Sequence, residues 1–330
     1  MQSNPEKRRD TAERETLMME LTRLVQKSVR ESSWWERRGI DCSILTAAFI
    51  SLPAGTHTHT FTTFHYRHKR HTGHLEMILM RCGLFCTPAC ITRISVVSQV
   101  CGSFSARAGV QAHVKMHHAH TNVIGLGDSS TWKIPFLPRS VYLFIAPLAV
   151  PIITPIVAVG QLKGQSPLQI LRTAPCVCLG FFSQYYLLRS VSGLSCSSAL
   201  LVMLLCRAMF SLPYIHVNIF QHIGLPMFSA THRPKRIYQM THGVLNLPRN
   251  PLLDWTFGHS LINCHVEHHL FPFLSDNMCL KVKPLVSQYL KEKKLPYQED
   301  AYISRLSLFF HKYQELMVFV PPITELVGIQ

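Results

Sequence analysis

Charge is scarce in this sequence, and acidic charge most of all. Only 15% of the 330 residues are charged, and 18 Asp and Glu stand against 33 Lys and Arg, a formal net charge of +15. The mean hydropathy is positive, at +0.14. This composition argues against a disordered chain or an acidic solenoid, because both need a polar and strongly charged sequence. It favours a membrane-embedded or unusually apolar protein.

Paired cysteines, an N-terminal apolar run and a basic domain are also missing. The 11 cysteines form no Cys-x-x-Cys pair, which argues against a zinc framework. The opening MQSNPEKRRDTAERE has no apolar run, so we expect no secretory signal peptide. The basic residues are spread between apolar segments and do not cluster with aromatics. That distribution argues against nucleic-acid binding and is typical of the positive loops of a membrane protein.

The apolar segments predict how the chain meets a membrane. Residues 174–188 and 197–214 are apolar and joined by a short, nearly uncharged connection, so we predict a transmembrane hairpin over 174–214. Val141–Gly160 is also apolar, but prolines recur in it every four residues and basic residues flank both ends. We therefore expect this segment to be re-entrant or interfacial.

Polar sequence surrounds the apolar segments. We predict that residues 1–33 form a cytosolic N-terminal helix and that residues 215–330 form a cytosolic cap. Within the cap we expect a helix between Pro284 and Pro296, because proline is tolerated at a helix start but not inside one. The apolar face of the N-terminal helix is predicted from residues at helical spacing, namely Leu17, Leu21, Leu24 and Val25.

Histidine is abundant, with 19 residues, and two clusters are ordered: HVKMHHAH over 113–120 and HVEHH over 265–269. Residues i, i+3 and i+4 share one face of an α-helix, so we expect His265, His268 and His269 to converge. For the same reason we expect His113 to converge with His117. Neutral imidazoles arranged in this way are a half-site for a transition metal.

Two neighbours of these pairs are expected to point elsewhere. His118 lies about 100° further round the helix than His117, which places it to reach a neighbouring metal ion. Glu267 is neither i+3 nor i+4 from His265, so we expect it to point away from the metal.

The motifs resemble those of a known family. HVKMHHAHTN and CHVEHHLFP resemble the second and third histidine boxes of the membrane fatty acid desaturases, and Asn218-Ile-Phe-Gln-His222 resembles their NxxxH element. The similarity covers about residues 99–330, with weaker support from 10–55, and is strongest to one vertebrate subfamily. It implies a single desaturase domain over 1–330, an all-α integral membrane protein whose transmembrane hairpins are topped by a cytosolic helical cap.

The resemblance also implies the chemistry. The cap would hold a non-haem centre of two iron ions, which uses O₂ to introduce a double bond into an acyl chain carried by CoA or a lipid. The sequence has no His-Pro-Gly-Gly haem motif, so electrons would come from a separate cytochrome b5 and its reductase. The chain would be a multi-pass protein of the endoplasmic reticulum with its histidine boxes facing the cytosol. The implied iron ligands are His113, His117, His118, His222, His265, His268 and His269, with Asn218 acting through water.

The first histidine box of the family is missing. It should precede residue 113 as two histidines separated by three or four residues, and no pair among the histidines of 57–74 has that spacing. We interpret residues 55–98 as an atypical segment that replaces the box, of the kind that another reading frame or an alternative exon would give. His71 and His74 are the candidates for substitute ligands.

Three functions therefore stay open. The first is acyl desaturation. The second is lipid hydroxylation on the same fold, because related histidine-box sites insert oxygen instead. The third is a catalytically inactive homologue, which the missing first box supports.

Overall fold

The computed structural model describes residues 5–44, 46–47, 110–124, 126, 137–160, 162 and 164–317. Helices dominate these residues, and their β-structure is limited to two isolated bridges, Val123 with Phe228 and Asn246 with Glu299. The predicted all-α class is therefore confirmed for the described part of the chain. The atypical segment 55–98, with His71 and His74, lies outside the described residues.

The α-helices are numbered in chain order: α1 (Pro5–Glu31), α2 (His118–His120), α3 (Val150–Gly160), α4 (Pro167–Tyr186), α5 (Cys196–Phe220), α6 (Arg236–Gly243), α7 (Pro251–Phe257), α8 (His265–Leu270), α9 (Asp276–Glu292) and α10 (Tyr302–Met317). Tighter or wider helical turns accompany them. They are π-helical at Trp35–Gly39, Val110–His117, Val141–Ile145 and Leu187–Val191, and 3₁₀ at Ala146–Ala149. The π-helical turn Val110–His117 leads directly into α2.

One compact unit contains α1, α2, the end of α5 and all of α6 to α10. Its core is formed by apolar side chains of α1, α6, α8 and α9, among them Met240 and Val266. The predicted apolar face of α1 contributes Leu21 and Val25, which are buried, whereas Leu24 is 38% exposed. Leu24 differs because it lies on the outer edge of the apolar stripe, on the side of Leu21 away from Val25.

Polar contacts fix α1 against α9 within this unit. The Tyr289 hydroxyl donates to the Leu17 carbonyl at 2.9 Å and lies 2.9 Å from a Glu20 carboxylate oxygen. Lys293 forms an ion pair with the same carboxylate at 3.0 Å. These contacts hold the N-terminal helix beside the helix that follows the third histidine cluster, which is the cluster at 265–269 that resembles the third histidine box.

The helix predicted to begin at Pro284 begins earlier. The α9 helix starts at Asp276, with the Ser275 hydroxyl accepting from the Met278 N–H at 3.4 Å, and Pro284 lies inside it. A proline inside a helix removes one hydrogen bond. Burial of Met278 and Val282 on the face before the proline offsets that loss, since burying such a side chain contributes about 1.5–3 kcal/mol.

The second unit contains α3, α4 and α5 as far as His216. Large apolar side chains are exposed on it, including Ile156 at 64%, Leu171 at 71% and Met209 at 72%. Exposed apolar patches mark surfaces that bind a membrane, another protein or a ligand. Within the described residues, α5 is the one helix long and apolar enough to cross a membrane. The membrane topology of 174–214 stays a prediction.

The α4 and α5 helices contact each other. The Arg207 guanidinium of α5 lies 4.8 Å above the Phe181 ring and 3.5 Å from the Gln184 side-chain oxygen of α4. The Tyr185 hydroxyl donates to the Cys196 sulfur at 3.2 Å. The pair therefore has the side-by-side contacts of a helical hairpin.

Candidate metal centre

The third histidine cluster lies on α8, and His265, His268 and His269 are each at most 2% exposed. His265 and His269 are one helical turn apart, and their Nε2 atoms lie 3.2 Å from each other. His268 belongs to a different group of donors. The expected convergence of all three is therefore wrong, because His268 and His269 are adjacent and lie about 100° apart around the helix.

The second cluster, at 113–120, is also divided between the two groups of donors. The expected pairing of His113 with His117 is wrong, because Val110–His117 is π-helical and its hydrogen bonds run from residue i to i+5. This geometry brings His113 over His118. The expectation that His118 reaches a different metal position from His117 agrees with the structure, which assigns the two to different groups.

The four-histidine group consists of His117, His222, His265 and His269, all buried, with one ring nitrogen of each within 4.8 Å of the others. The Nε2 atoms of His222 and His265 are 3.0 Å apart. Nitrogen ligands bound at roughly 2.1 Å to one metal ion lie about 3 Å from each other. The spacing is therefore that of ligands sharing an ion.

The outward nitrogens of this group have acceptors that fix the ring orientation. The Nδ1 atoms of His265 and His222 lie 3.1 Å from the Ser260 carbonyl and 3.2 Å from the Gly243 carbonyl. The Nδ1 atom of His269 lies 3.1 Å from the Thr121 hydroxyl, whose proton goes to the His117 carbonyl. These three rings can thus donate outward through Nδ1–H and keep the Nε2 lone pair for a metal.

The three-histidine group consists of His113, His118 and His268, again with ligand nitrogens within 4.8 Å of one another. The two groups are neighbours. The His118 ring stacks on the His269 ring at 4.2 Å between centroids and 26° between planes, and it meets the His268 ring edge-on at 4.5 Å. The arrangement therefore offers two adjacent metal positions.

Burial favours the neutral form of two rings of the four-histidine group, His222 and His269. Desolvation lowers the pKa of His222 and of His269 well below the ordinary value, and the neighbouring histidines lower each pKa further. A neutral imidazole retains the lone pair that a metal ion needs.

Glu267 points away from the histidine groups, as its spacing predicts. Its carboxylate accepts hydrogen bonds from the Tyr297 hydroxyl at 2.7 Å and the Asn246 amide at 3.1 Å. Burial raises the pKa of Glu267 to about 7 against the opposing effect of these hydrogen bonds. The residue therefore ties α8 to the chain segments around it and is not a metal donor in either group.

The NxxxH element lies where α5 ends. Asn218 is half-buried in the last turn of α5, and His222 follows in the turn after it. The Asn122 side chain donates to the His222 carbonyl at 3.1 Å, which joins this turn to the second cluster. His120 lies outside both groups, and its Nδ1 is 3.1 Å from the Met116 carbonyl.

A cavity of about 560 Å³ borders the His118 side of the centre. Apolar side chains of α1 and of the stretch after α8 form most of its wall, including Val25, Val29, Phe271 and Leu274. The cavity volume is in the range of small-molecule sites. An apolar ligand in this cavity would contact apolar side chains beside His118.

The histidine spacing does not predict which residues orient the ligands. Thr121 and Ser260 sit close in sequence to the clusters, and a search for hydroxyls beside the boxes could have found them. Arg236 and Gly243 are the two ends of α6, far from the clusters in sequence, and no local pattern marks them.

The residues present fit a metal ion. Both groups consist entirely of imidazoles. Imidazole suits iron, zinc, copper and nickel. The buried rings, converging nitrogens and oriented Nδ1 atoms are the features of a transition-metal centre.

Known proteins resemble the chain closely. Residues 93–301 match the family model described as Fatty acid desaturase. Fatty acid desaturase 6 of Mus musculus is 53% identical over 338 residues, covering 96% of this chain and 96% of the relative. Fatty acid desaturase 6 of Homo sapiens is 51% identical, covering 96% and 92%. The Delta(6)-fatty-acid desaturase fat-3 of Caenorhabditis elegans is 32% identical over 92 residues, 26% of this chain and 20% of the relative.

These matches confirm the resemblance drawn from the histidine boxes, and the family match begins at residue 93, near the end of the atypical segment. The chain belongs to the fatty acid desaturase family and is an oxidoreductase of that family.

Proposed function

We propose that the chain is a fatty acyl desaturase. It introduces a double bond into an acyl chain carried by CoA or a lipid, using O₂ and electrons from a separate cytochrome b5 and its reductase. The observation that carries the proposal is the meeting of two histidine groups at the His118–His269 pair, whose ring centroids are 4.2 Å apart. Membership of the desaturase family supports it.

In this proposal each histidine group holds one of two iron ions. The residues that would hold them are His113, His117, His118, His222, His265, His268 and His269. Asn218 acts through water, one turn before His222. Bound iron supplies the O₂ activation needed to remove hydrogen from an unactivated carbon. The outward Nδ1 contacts orient the rings, and the all-imidazole donor set leaves the charge of the metal uncompensated.

The surroundings support an acyl substrate. The cavity beside His118 has a mostly apolar wall, which suits an apolar chain. The exposed apolar side chains of α4 and α5 support a multi-pass protein. We place it in the membrane of the endoplasmic reticulum with its histidine groups on the cytosolic side, where the electron donor would bind.

The test is reconstitution of the full chain in lipid nanodiscs with cytochrome b5, its reductase, NADH and acyl-CoA or phospholipid substrates. We expect two irons per chain and an unsaturated product identified by mass spectrometry. We expect His269→Ala to abolish the product, because it removes a ligand at the point where the two groups meet. His232→Ala is the matched control, since His232 is exposed and contacts Thr231 beside it.

Two outcomes would contradict the proposal. A hydroxylated product with no double bond would assign the centre to the hydroxylase chemistry of related histidine-box proteins. A chain that contains zinc or no metal and gives no product would identify an inactive homologue.

A further inference from the structure

Helix α6 contacts every segment that carries a histidine of the four-histidine group. Its last carbonyl, Gly243, lies 3.2 Å from the Nδ1 of His222. Its Gln239 side chain donates to the Thr121 carbonyl at 2.8 Å in a buried contact. Its first residue, Arg236, reaches the segments of both histidine clusters. A short helix with no histidine ligand of its own thus connects the parts of the centre.

Arg236 makes the contact that spans the two groups. Its Nη2 donates to the His269 carbonyl at 2.6 Å, and its Nη1 donates to the His118 carbonyl at 3.4 Å. His118 belongs to the three-histidine group and His269 to the four-histidine group. These are also the two residues whose rings stack at 4.2 Å. One guanidinium therefore holds the backbones of both members of the pair that joins the groups.

The electrostatics favour this placement of a guanidinium. The last four carbonyls of a helix have no partner inside it and carry partial negative charge. The His269 carbonyl is in the last turn of α8, and the His118 carbonyl is in the single turn of α2. A planar fork with separate donors can serve two acceptors at once, whereas an ammonium acts as a point charge.

Arg233 offers a matched comparison. Its Nη1 donates to the Ala119 carbonyl at 3.1 Å, next to the carbonyl that Arg236 contacts. Arg233 is exposed and donates to the second cluster, whereas Arg236 is half-buried and donates to both clusters. The two arginines thus separate a general effect of positive charge from a bridging effect.

We propose that Arg236 is a positioning residue that sets the distance between the two metal positions by holding the backbones of His118 and His269 together. This inference rests on the proposed di-iron function. The ligands themselves stay in place without Arg236, but the two groups lose their fixed spacing.

The experiment compares Arg236→Met, Arg236→Lys and Arg233→Met in the full chain in nanodiscs. Iron per chain, magnetic coupling between the irons by Mössbauer spectroscopy, and kcat and KM are measured for each. For Arg236→Met we expect iron to be retained in the four-histidine group, coupling to be lost, and kcat to fall about 10- to 100-fold, the size of effect typical of groups that orient metal ligands. Arg236→Lys should restore part of the coupling, and Arg233→Met should match the unmodified chain.

The results separate this inference from the function it rests on. Normal coupling and kcat in Arg236→Met would overturn the positioning role, and an equal loss in Arg233→Met would reduce it to a charge effect. If Arg236→Met does not fold, normal coupling in Arg236→Gln, which removes the fork but keeps a polar side chain, would overturn the role in the same way. If the unmodified chain holds no coupled irons, the proposed function fails. In that case the hydrogen exchange of residues 117–121 and 265–270 tests the Arg236 contacts. Unchanged exchange in Arg236→Met would overturn the proposal that Arg236 holds the two backbones together.

Discussion

Asp276 fixes the loop that leads into the third histidine cluster. Its carboxylate accepts from the backbone N–H groups of His259 and Ser260 at 2.9 and 2.7 Å, and from the Ser260 hydroxyl at 2.7 Å. The Ser260 carbonyl in turn lies 3.1 Å from the Nδ1 of His265. Gly258 makes this approach possible, since its φ is +92° and a Cβ there would lie 2.7 Å from the carboxylate. A buried carboxylate thus orients a candidate ligand through one residue.

We expect Asp276→Asn to weaken both the fold and the metal site. The amide replaces one carboxylate oxygen with an NH₂ group, so at least one of the three donors loses its acceptor and faces another donor, and a buried group left unsatisfied costs about 1–3 kcal/mol. Metal affinity should fall about 10- to 100-fold, as for other groups that orient metal ligands. Thermal unfolding and competition with a chelator measure the two effects.

Glu292→Gln, an exposed change at the end of the same helix, is the control for Asp276→Asn. It should leave both measurements unchanged. A normal unfolding temperature together with normal metal affinity in Asp276→Asn would show that the Ser260 loop is held without the carboxylate.

The candidate ligands could be predicted from the sequence, but their grouping and their support could not. Several histidines within one helical turn indicate a metal site, whichever of them share an ion. The grouping depends on whether the segment at 110–117 is α- or π-helical, and histidine spacing does not distinguish the two. Asp276 and Arg236 act on backbone atoms of segments distant in sequence, so no local spacing records them.

At the scale of elements, α10 is attached to the turn that carries His222. Arg305 of α10 is 4% exposed, and its Nε donates to the Phe220 carbonyl at 2.9 Å. Its Nη2 donates to the Ile223 carbonyl, and its Nη1 pairs with Asp300 at 3.7 Å. The guanidinium thus satisfies the last carbonyl of α5, which has no partner inside the helix, and the Ile223 carbonyl in the turn after it.

We expect Arg305→Met to loosen α10 and the turn at 219–225, which carries His222. The substitution keeps much of the apolar stem but leaves two buried carbonyls without their donor, at a cost of about 1–3 kcal/mol each. Hydrogen–deuterium exchange should rise across 302–317 and 219–225. The matched control is Lys312→Met on the same helix, because Lys312 is exposed. Equal exchange in the two variants would show that apolar packing alone holds α10.

Helix prediction from the sequence succeeded where apolar periodicity was decisive and was wrong where proline was used as a boundary. Apolar residues at helical spacing predicted the N-terminal helix, which is observed as α1. The start of α9 was predicted eight residues late, at Pro284, because the cap at Ser275 and the burial of Met278 outweigh one lost hydrogen bond. A proline rule cannot weigh these tertiary contributions.

At the scale of the whole molecule, the two metal positions differ in the number of donors. Among the described residues, one group has four histidines and the other has three. An ion in the four-histidine group would have one more protein ligand than an ion in the three-histidine group. The family's first box would supply further donors, and the sequence lacks it at the expected spacing. Donor number therefore predicts unequal affinities.

We expect a chelator to remove iron from the purified full chain in two phases, one iron in each. The fast phase should come from the three-histidine group, because a metal ion with fewer protein ligands dissociates with fewer bonds to break. His268→Ala should abolish the fast phase and leave the slow one, and His222→Ala should abolish the slow phase. His232→Ala, away from both groups, should keep both phases. A single phase that His268→Ala and His222→Ala remove equally would contradict the assignment. It would mean that the two ions bind as one cooperative unit, so that the number of donors does not set the order in which they are lost.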